Sequence, residues 1–133
     1  MVLSGQLQQW RSLLRWGAGV GVATLLAFGA VEAREQSLTS VSLAQLPQEA
    51  QLVDHAIRAG GPFAYPKDGI VFANRERLLP PQRRGFYHEY TVATPGARDR
   101  GARRMVCGGQ PPTAPVACYY SNDHYASFHR ITP

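Results

Sequence analysis

The chain has 133 residues, is 44% hydrophobic and carries a formal net charge of +5. That length excludes more than one sizeable core, and the absence of internal repeats or low-complexity tracts sets repeat architectures aside. The charge is nearly all arginine, with Lys67 the single lysine, which fits phosphate recognition because the planar fork meets two oxygens at once; the plainer reading is a soluble basic surface.

The first element is a leader. Arg11 and Arg15 precede an apolar stretch over residues 16–31, and Val31-Glu32-Ala33 offers small residues where a signal peptidase reads. The apolar run falls short of the roughly 20 residues a membrane span needs, so residues 1–33 read as a signal peptide cut after Ala33, the alternative being an uncleaved anchor. Cleavage predicts a secreted chain with no stable membrane association. It removes Arg11, Arg15 and Glu32, which lowers the formal charge from +5 to +4. The remaining 100 residues (133 less 33) suffice for one small, marginal core.

Residues 34–40 read as a flexible lead-in and 41–133 as the domain, with a short edge strand at 40–43. Leu46-Pro47 opens a helix, since proline suits a first turn where its missing N–H costs nothing. Ala50, Val53, Ala56 and Ile57 recur at helical spacing, and Gly60-Gly61-Pro62 stops the run. Strands are then expected over 69–73, 86–94, 102–108, 117–121 and 125–131. One N-terminal helix packed on a twisted antiparallel β-sheet is an α+β architecture.

Cys107 and Cys118 are the two cysteines. In an exported chain an even pair points to a disulfide, and the intervening Gly108-Gly109-Gln110-Pro111-Pro112 reads as a turn that sets the two across neighbouring strands. Such a bridge stabilises by roughly 3 kcal/mol in the chain-entropy account. The alternative is two inert thiols, with Cys107 in the core.

The chemistry concentrates around Arg98-Asp99-Arg100-Gly101-Ala102-Arg103-Arg104. Alternation sets Tyr87, Glu89 and Thr91 on one face of their strand and Arg100, Ala102 and Arg104 on one face of the next. A hairpin centred near Gly96-Ala97 then brings Arg104 roughly opposite Glu89, within the roughly 5 Å of cross-strand neighbours. Arg103 points away, and Arg98 is a rim charge. Glu89 can serve as a base and His124, in Asn122-Asp123-His124-Tyr125, as a proton donor near neutral pH. On spacing alone the plainer assignments are a structural salt bridge for Glu89 and a surface turn histidine for His124. His55, His88 and His129 read as structural or surface residues. The four histidines lack metal-ligand spacing and no Cys-x-x-Cys occurs, so neither metal nor cofactor is expected.

Residues 70–76, Ile-Val-Phe-Ala-Asn-Arg-Glu, run from a strand into a loop. A carboxylate there can accept from the N1–H and N2 amine of guanine while backbone amides donate to O6, with Phe72 against the base face. The plainer reading is a strand end bearing a solvated Arg75–Glu76 pair.

Taken together, Gly61-Pro62-Phe63, Asp68-Gly69-Ile70-Val71-Phe72, Asn74-Arg75-Glu76, Tyr87-His88-Glu89-Tyr90-Thr91-Val92, Thr94-Pro95-Gly96-Ala97-Arg98, Arg100-Gly101, Arg103-Arg104 and Asp123-His124-Tyr125 resemble the microbial guanyl-specific ribonucleases, the barnase-like secreted enzymes, and most of all their small actinobacterial type. The resemblance covers residues 41–131. It implies the microbial ribonuclease fold, with Glu89 as general base, His124 as general acid, Arg100 and Arg104 on phosphate, and Tyr125 on phosphate or base. It also implies a guanine site of Phe72, Asn74, Arg75 and Glu76, partly through main chain. The implied reaction is metal-independent transesterification of single-stranded RNA 3′ to G, giving a 2′,3′-cyclic phosphate and then a 3′-phosphate. Two departures stand out. Ala73 replaces a glutamine of near relatives. Those relatives also join a cysteine near the mature N-terminus to one near the C-terminus, whereas here Ser42 takes the first place and no cysteine follows Cys118. The bridge Cys107–Cys118 is then a relocated one.

A monomer is expected, and export leaves room for a protein inhibitor of the barstar kind. The competing class is an exported non-catalytic binder of RNA or another polyanion, which would bind in a salt-sensitive way without cleavage. A two-carboxylate glycosidase using Glu89 and Glu76 leaves the arginines unexplained.

Overall fold

A computed structural model describes residues 38–133. The signal peptide expected over 1–33 lies outside the described residues, as does most of the lead-in. Strand β1 is Ser40–Ser42, followed by a 3₁₀ turn at Leu43–Gln45 and helix α1 at Gln48–Ala59. Strands β2 (Tyr87–Thr91), β3 (Arg104–Gly108), β4 (Ala117–Ser121) and β5 (His129–Thr132) complete the order.

Helix α1 begins where proline allows. The Pro47 carbonyl accepts from the Ala50 and Gln51 amides at 2.9 and 3.2 Å. It ends at Gly60, whose φ of +81° is the left-handed conformation a C-cap favours; the Gly61 amide then closes on the Ala56 carbonyl at 2.8 Å. Ala50, Asp54 and Ile57 form the buried stripe. The polar member, Asp54, is neutralised by Arg58 one turn later at 3.1 Å.

The sheet runs β1-β5-β4-β3-β2. It is antiparallel except at one edge, where β1 pairs parallel with β5, so the fully antiparallel sheet expected from the strand pattern is in fact mixed. A strand lying before the helix can run parallel to the last strand because the whole domain serves as its crossover. Ser40 already pairs with Arg130, and the Thr39 carbonyl accepts from the Arg130 amide at 2.8 Å, so these two residues of the expected 34–40 lead-in are tied to the sheet.

Other strands are shorter than their apolar patterns. Residues 69–73 make only one bridge, Val71 to His88. The segment still docks along β2, with Gly69 and Phe72 amides donating to Glu89 and Tyr87 carbonyls and the Glu89 amide donating to Ile70. Residues 125–128 belong to a loop, since Tyr125 has φ +71°, and β5 starts at His129.

The two sheet faces are covered differently. On one, Leu46, Ala50 and Ile57 pack with Tyr90, Val92, Met105, Cys107, Cys118 and Tyr120. Cys107 and Cys118 are directly paired across β3 and β4 and are joined by a disulfide on this helix side. On the other face, Tyr87, Val106 and Tyr119 pack with Leu79 and Phe128, contributed by loops. This is the face on which the sheet carries Glu89, Thr91, Arg104 and Ser121.

Candidate active site

Register places the site. Across the loop-covered face, Glu89 stands opposite Val106, itself opposite Tyr119; the next row is Thr91, Arg104 and Ser121. Arg104 therefore faces Thr91 and lies diagonal to Glu89, not opposite it as a hairpin centred at Gly96-Ala97 predicts. A two-residue shift keeps side-chain parity, so both remain on one face. Arg100 and Ala102 are not on β3 at all but in the preceding loop. Arg103 acts on the other side: burial raises the Tyr120 phenol and the Arg103 charge partly offsets that rise, Tyr120 sitting in the helix-side cluster.

Glu89 has a side chain only 12% exposed. Its Oε2 accepts from the Tyr125 hydroxyl at 2.8 Å. Its Oε1 lies 3.6 Å from Arg100 Nη2, outside hydrogen-bonding range. Burial, then the hydrogen bond and charge of Glu89, push the Tyr125 phenol up to about 12, so it stays a donor across the working pH range.

Arg100 is held by Nε, which donates to Thr91 Oγ1 at 2.9 Å; Nη2 also lies 4.0 Å from Asp68 Oδ1. Arg104 is 3% exposed and makes no ion pair among the described residues. Its Nη1 instead donates to the carbonyls of Arg103 and Gly101 at 2.8 and 3.0 Å and, more weakly, of Arg100 at 3.5 Å. The guanidinium carbon is 5.8 Å from the centre of the Tyr125 ring, in cation–π range. Arg100 Nη2 and Arg104 Nε are buried without a hydrogen-bond acceptor among the described residues. Buried orphan donors are costly, and two guanidiniums with spare donors on one face suit an anion with several oxygens.

His124 is exposed, beside Tyr125 at 5.0 Å between rings. Both residues have positive φ, +55° and +71°, a conformation that costs a non-glycine residue about 1 kcal/mol or more. The loop is held against that cost. Ser121 Oγ accepts from the Tyr125 amide at 3.0 Å, and the His124 amide donates to the Ala102 carbonyl at 2.9 Å. Asp123 accepts from the Ser127 hydroxyl and amide and the Ser121 hydroxyl; these bonds, the Ser127 hydroxyl first, lower its carboxyl. The loops bearing histidine and arginine are thus tied together at Ala102.

The 72–80 loop borders this site. Phe72 stacks on Tyr125 with centroids 5.2 Å apart and rings 29° from parallel, and its edge meets Phe128 at 6.0 Å. Arg75 and Glu76 are exposed. The Asn74 side chain both accepts from the Leu79 amide and donates to the Leu79 carbonyl, at 3.2 and 2.9 Å, so it closes the loop and fixes the main chain beside it. Of the remaining histidines, His88 lies in the helix-side row beside Cys107, with burial lowering its imidazole; His55 is exposed; His129 pairs with Thr39. Asp68, Thr91 and Ser121 were assigned no role from sequence. Thr91 shares the parity of Glu89, and Asp68 and Thr91 both stand in stretches that resemble the family; what brings Asp68 to Arg100 and Ser121 to Tyr125 is the folding of the loops. Among the described residues no three His, Cys, Asp or Glu side chains gather as a metal site.

Comparison with known proteins decides the family. A family model described as ribonuclease matches residues 30–132. The chain belongs to the ribonuclease family. The ribonuclease is 51% identical over 92 residues to guanyl-specific ribonuclease Sa of Kitasatospora aureofaciens, covering 69% of this chain and 92% of that protein. It is 51% identical over 92 residues to guanyl-specific ribonuclease St of Saccharopolyspora erythraea, covering 69% and 85%. Among solved structures, ribonuclease Sa2 with guanosine-2′-cyclophosphate superposes with TM-score 0.66 at 46% identity, covering 73% of this ribonuclease and 98% of that chain. Sa2 in complexes with mononucleotides gives TM-score 0.68 at 46% identity, covering 73% and 96%. The fold is accordingly the α+β microbial ribonuclease fold.

Proposed function

We propose that this ribonuclease is a secreted, monomeric, guanyl-specific endoribonuclease that cuts single-stranded RNA 3′ to G. The observation that carries the reading is the state of Glu89: one carboxylate oxygen engaged by Tyr125, the other facing Arg100 without a hydrogen bond. Relatives named guanyl-specific, and the structure of ribonuclease Sa2 with guanosine-2′-cyclophosphate, support the substrate.

Glu89 Oε1 is the oxygen free to take the proton of the ribose 2′-hydroxyl. The 2′-oxygen then attacks phosphorus, the bond from phosphorus to the 5′-oxygen breaks, and the His124 imidazolium gives its proton to that leaving oxygen. Arg100 and Arg104 meet the charge that gathers on the phosphoryl oxygens. The product is a 2′,3′-cyclic phosphate; hydrolysis reverses the roles, with His124 accepting a proton from water, and leaves a 3′-phosphate. DNA lacks the 2′-hydroxyl and is not cut. Glu76, with main-chain groups of residues 72–75, reads guanine; Ala73 offers its backbone alone. A protein inhibitor of the barstar kind would have to cover this same loop-walled face.

Sequencing the ends of RNA fragments made by the mature protein tests the specificity: termini 3′ to G are expected, and base-indifferent ends would refute it. Glu89→Gln or His124→Ala should each lower turnover by about 10² to 10⁴. Full activity in both would overturn the assigned roles.

A further inference from the structure

We propose that Asp68 and Thr91 are positioning residues, which hold the Arg100 guanidinium back from Glu89 so that the base keeps a free oxygen. The inference rests on the reading of Glu89 as base and Arg100 as a phosphate-binding arginine.

An arginine beside one carboxylate closes on it as a short, charge-assisted pair. Here such a pair would occupy Glu89 Oε1, since Oε2 already accepts from Tyr125. Arg100 does not close. Its Nη2 stands 3.6 Å from Glu89 Oε1 and 4.0 Å from Asp68 Oδ1, drawn both ways by nearly equal distances. The Asp68 side chain is 4% exposed and is fixed by two amides: Oδ1 accepts from Thr91 at 2.8 Å and Oδ2 from Tyr65 at 3.3 Å. Thr91 turns that anchor into direction, because its Oγ1 accepts from Arg100 Nε at 2.9 Å. The carboxylate thus orients the threonine backbone, the threonine hydroxyl orients the guanidinium, and Nη2 is left buried with no acceptor.

Glu89 is faced by few charges. Arg100 comes from the 98–103 loop and Tyr125 from the 121–128 loop, with His124 beside it. Arg104 on β3 acts through the Tyr125 ring, and Asp68 acts from the segment ahead of β2. Asp68 is the one anion in this set besides Glu89. Neutralising it directs the whole Arg100 charge onto the base.

Two variants of the mature protein test this, with the dinucleotide GpC as substrate. Asp68→Asn keeps shape and removes the charge; Thr91→Val keeps shape and removes the acceptor. Each is expected to lower kcat by between about ten- and a hundredfold with little change in KM, the cost of a misplaced catalytic group. Exchange of the Arg100 Nε–H, followed by NMR, should be slow in the wild type and faster in both variants. Folded variants with wild-type kcat and slow Nε–H exchange would overturn the proposal, even with a lowered Tm. Should Asp68→Asn fail to fold, Thr91→Val decides alone. A wild type that cleaves nothing would sink the ribonuclease reading, while Nε–H exchange would still decide whether Asp68 and Thr91 hold Arg100.

Discussion

Tyr125 couples the parts of the site. Its hydroxyl holds Glu89, its ring stacks on Phe72 and lies near the Arg104 guanidinium, and its backbone is pinned by Ser121. Its phenol is pushed up to about 12 in the folded chain, first by burial, whereas an unfolded tyrosine ionises near 10. The folded state binds this proton more tightly, so the resulting stability is whole below pH 10 and is lost as pH rises through about 12. An ultraviolet titration should show a late-ionising tyrosine that Tyr125→Phe removes. The same variant withdraws the hydrogen bond donated to Glu89 Oε2, and steady-state kinetics should show a lowered kcat because the carboxylate loses the partner that orients it.

The loop between β2 and β3 does more than join strands. Its carbonyls at Arg100, Gly101 and Arg103 accept from Arg104 Nη1. Gly101 has φ +64°, and a Cβ there would lie 2.6 Å from Thr94 Oγ1. Gly101→Ala should lower stability by about 1–3 kcal/mol through backbone strain and lower kcat as well, because the carbonyl that anchors Arg104 must shift; calorimetry and steady-state kinetics check the two effects. The β3–β4 pair makes the contrasting case. Its disulfide lies on the helix side, away from Glu89. Replacing Cys107 and Cys118 together by Ser should cost about 3 kcal/mol in urea unfolding yet leave turnover at 25 °C largely intact. Two free thiols in the native protein under non-reducing mass analysis would contradict the bridge.

Over the whole molecule, cationic charge is spread widely. Arg75, Arg77, Arg83, Arg84 and Arg98 are exposed beyond the two arginines of the site, and the formal charge is +5. Binding to a single strand should release counterions, lowering log(kcat/KM) against log salt by about 0.7 per phosphate contacted. Longer RNA should give the steeper slope, and equal slopes for GpC and a long strand would confine the charge effect to the scissile phosphate.

Local chemistry settled much in advance. Proline and glycine bracket α1 because φ restriction acts within a few residues. The side-chain face of Glu89, Thr91 and Arg104 followed from the period of two, which survives a register shift of two residues. The resemblance to the family suggested the roles proposed for Glu89, His124, Arg100 and Arg104. What pattern could not contain was anything set by long-range closure. The parallel β1–β5 edge, the shortening of 69–73 to one bridge, the diversion of the Asn74 side chain to Leu79, and the meeting of Asp68 with Arg100 each depend on groups far apart in the chain or on loop paths. Periodicity reports which face a strand residue takes; it carries no information about which loop will cover that face, and here the loops supply Tyr125, His124, Arg100 and Asp68.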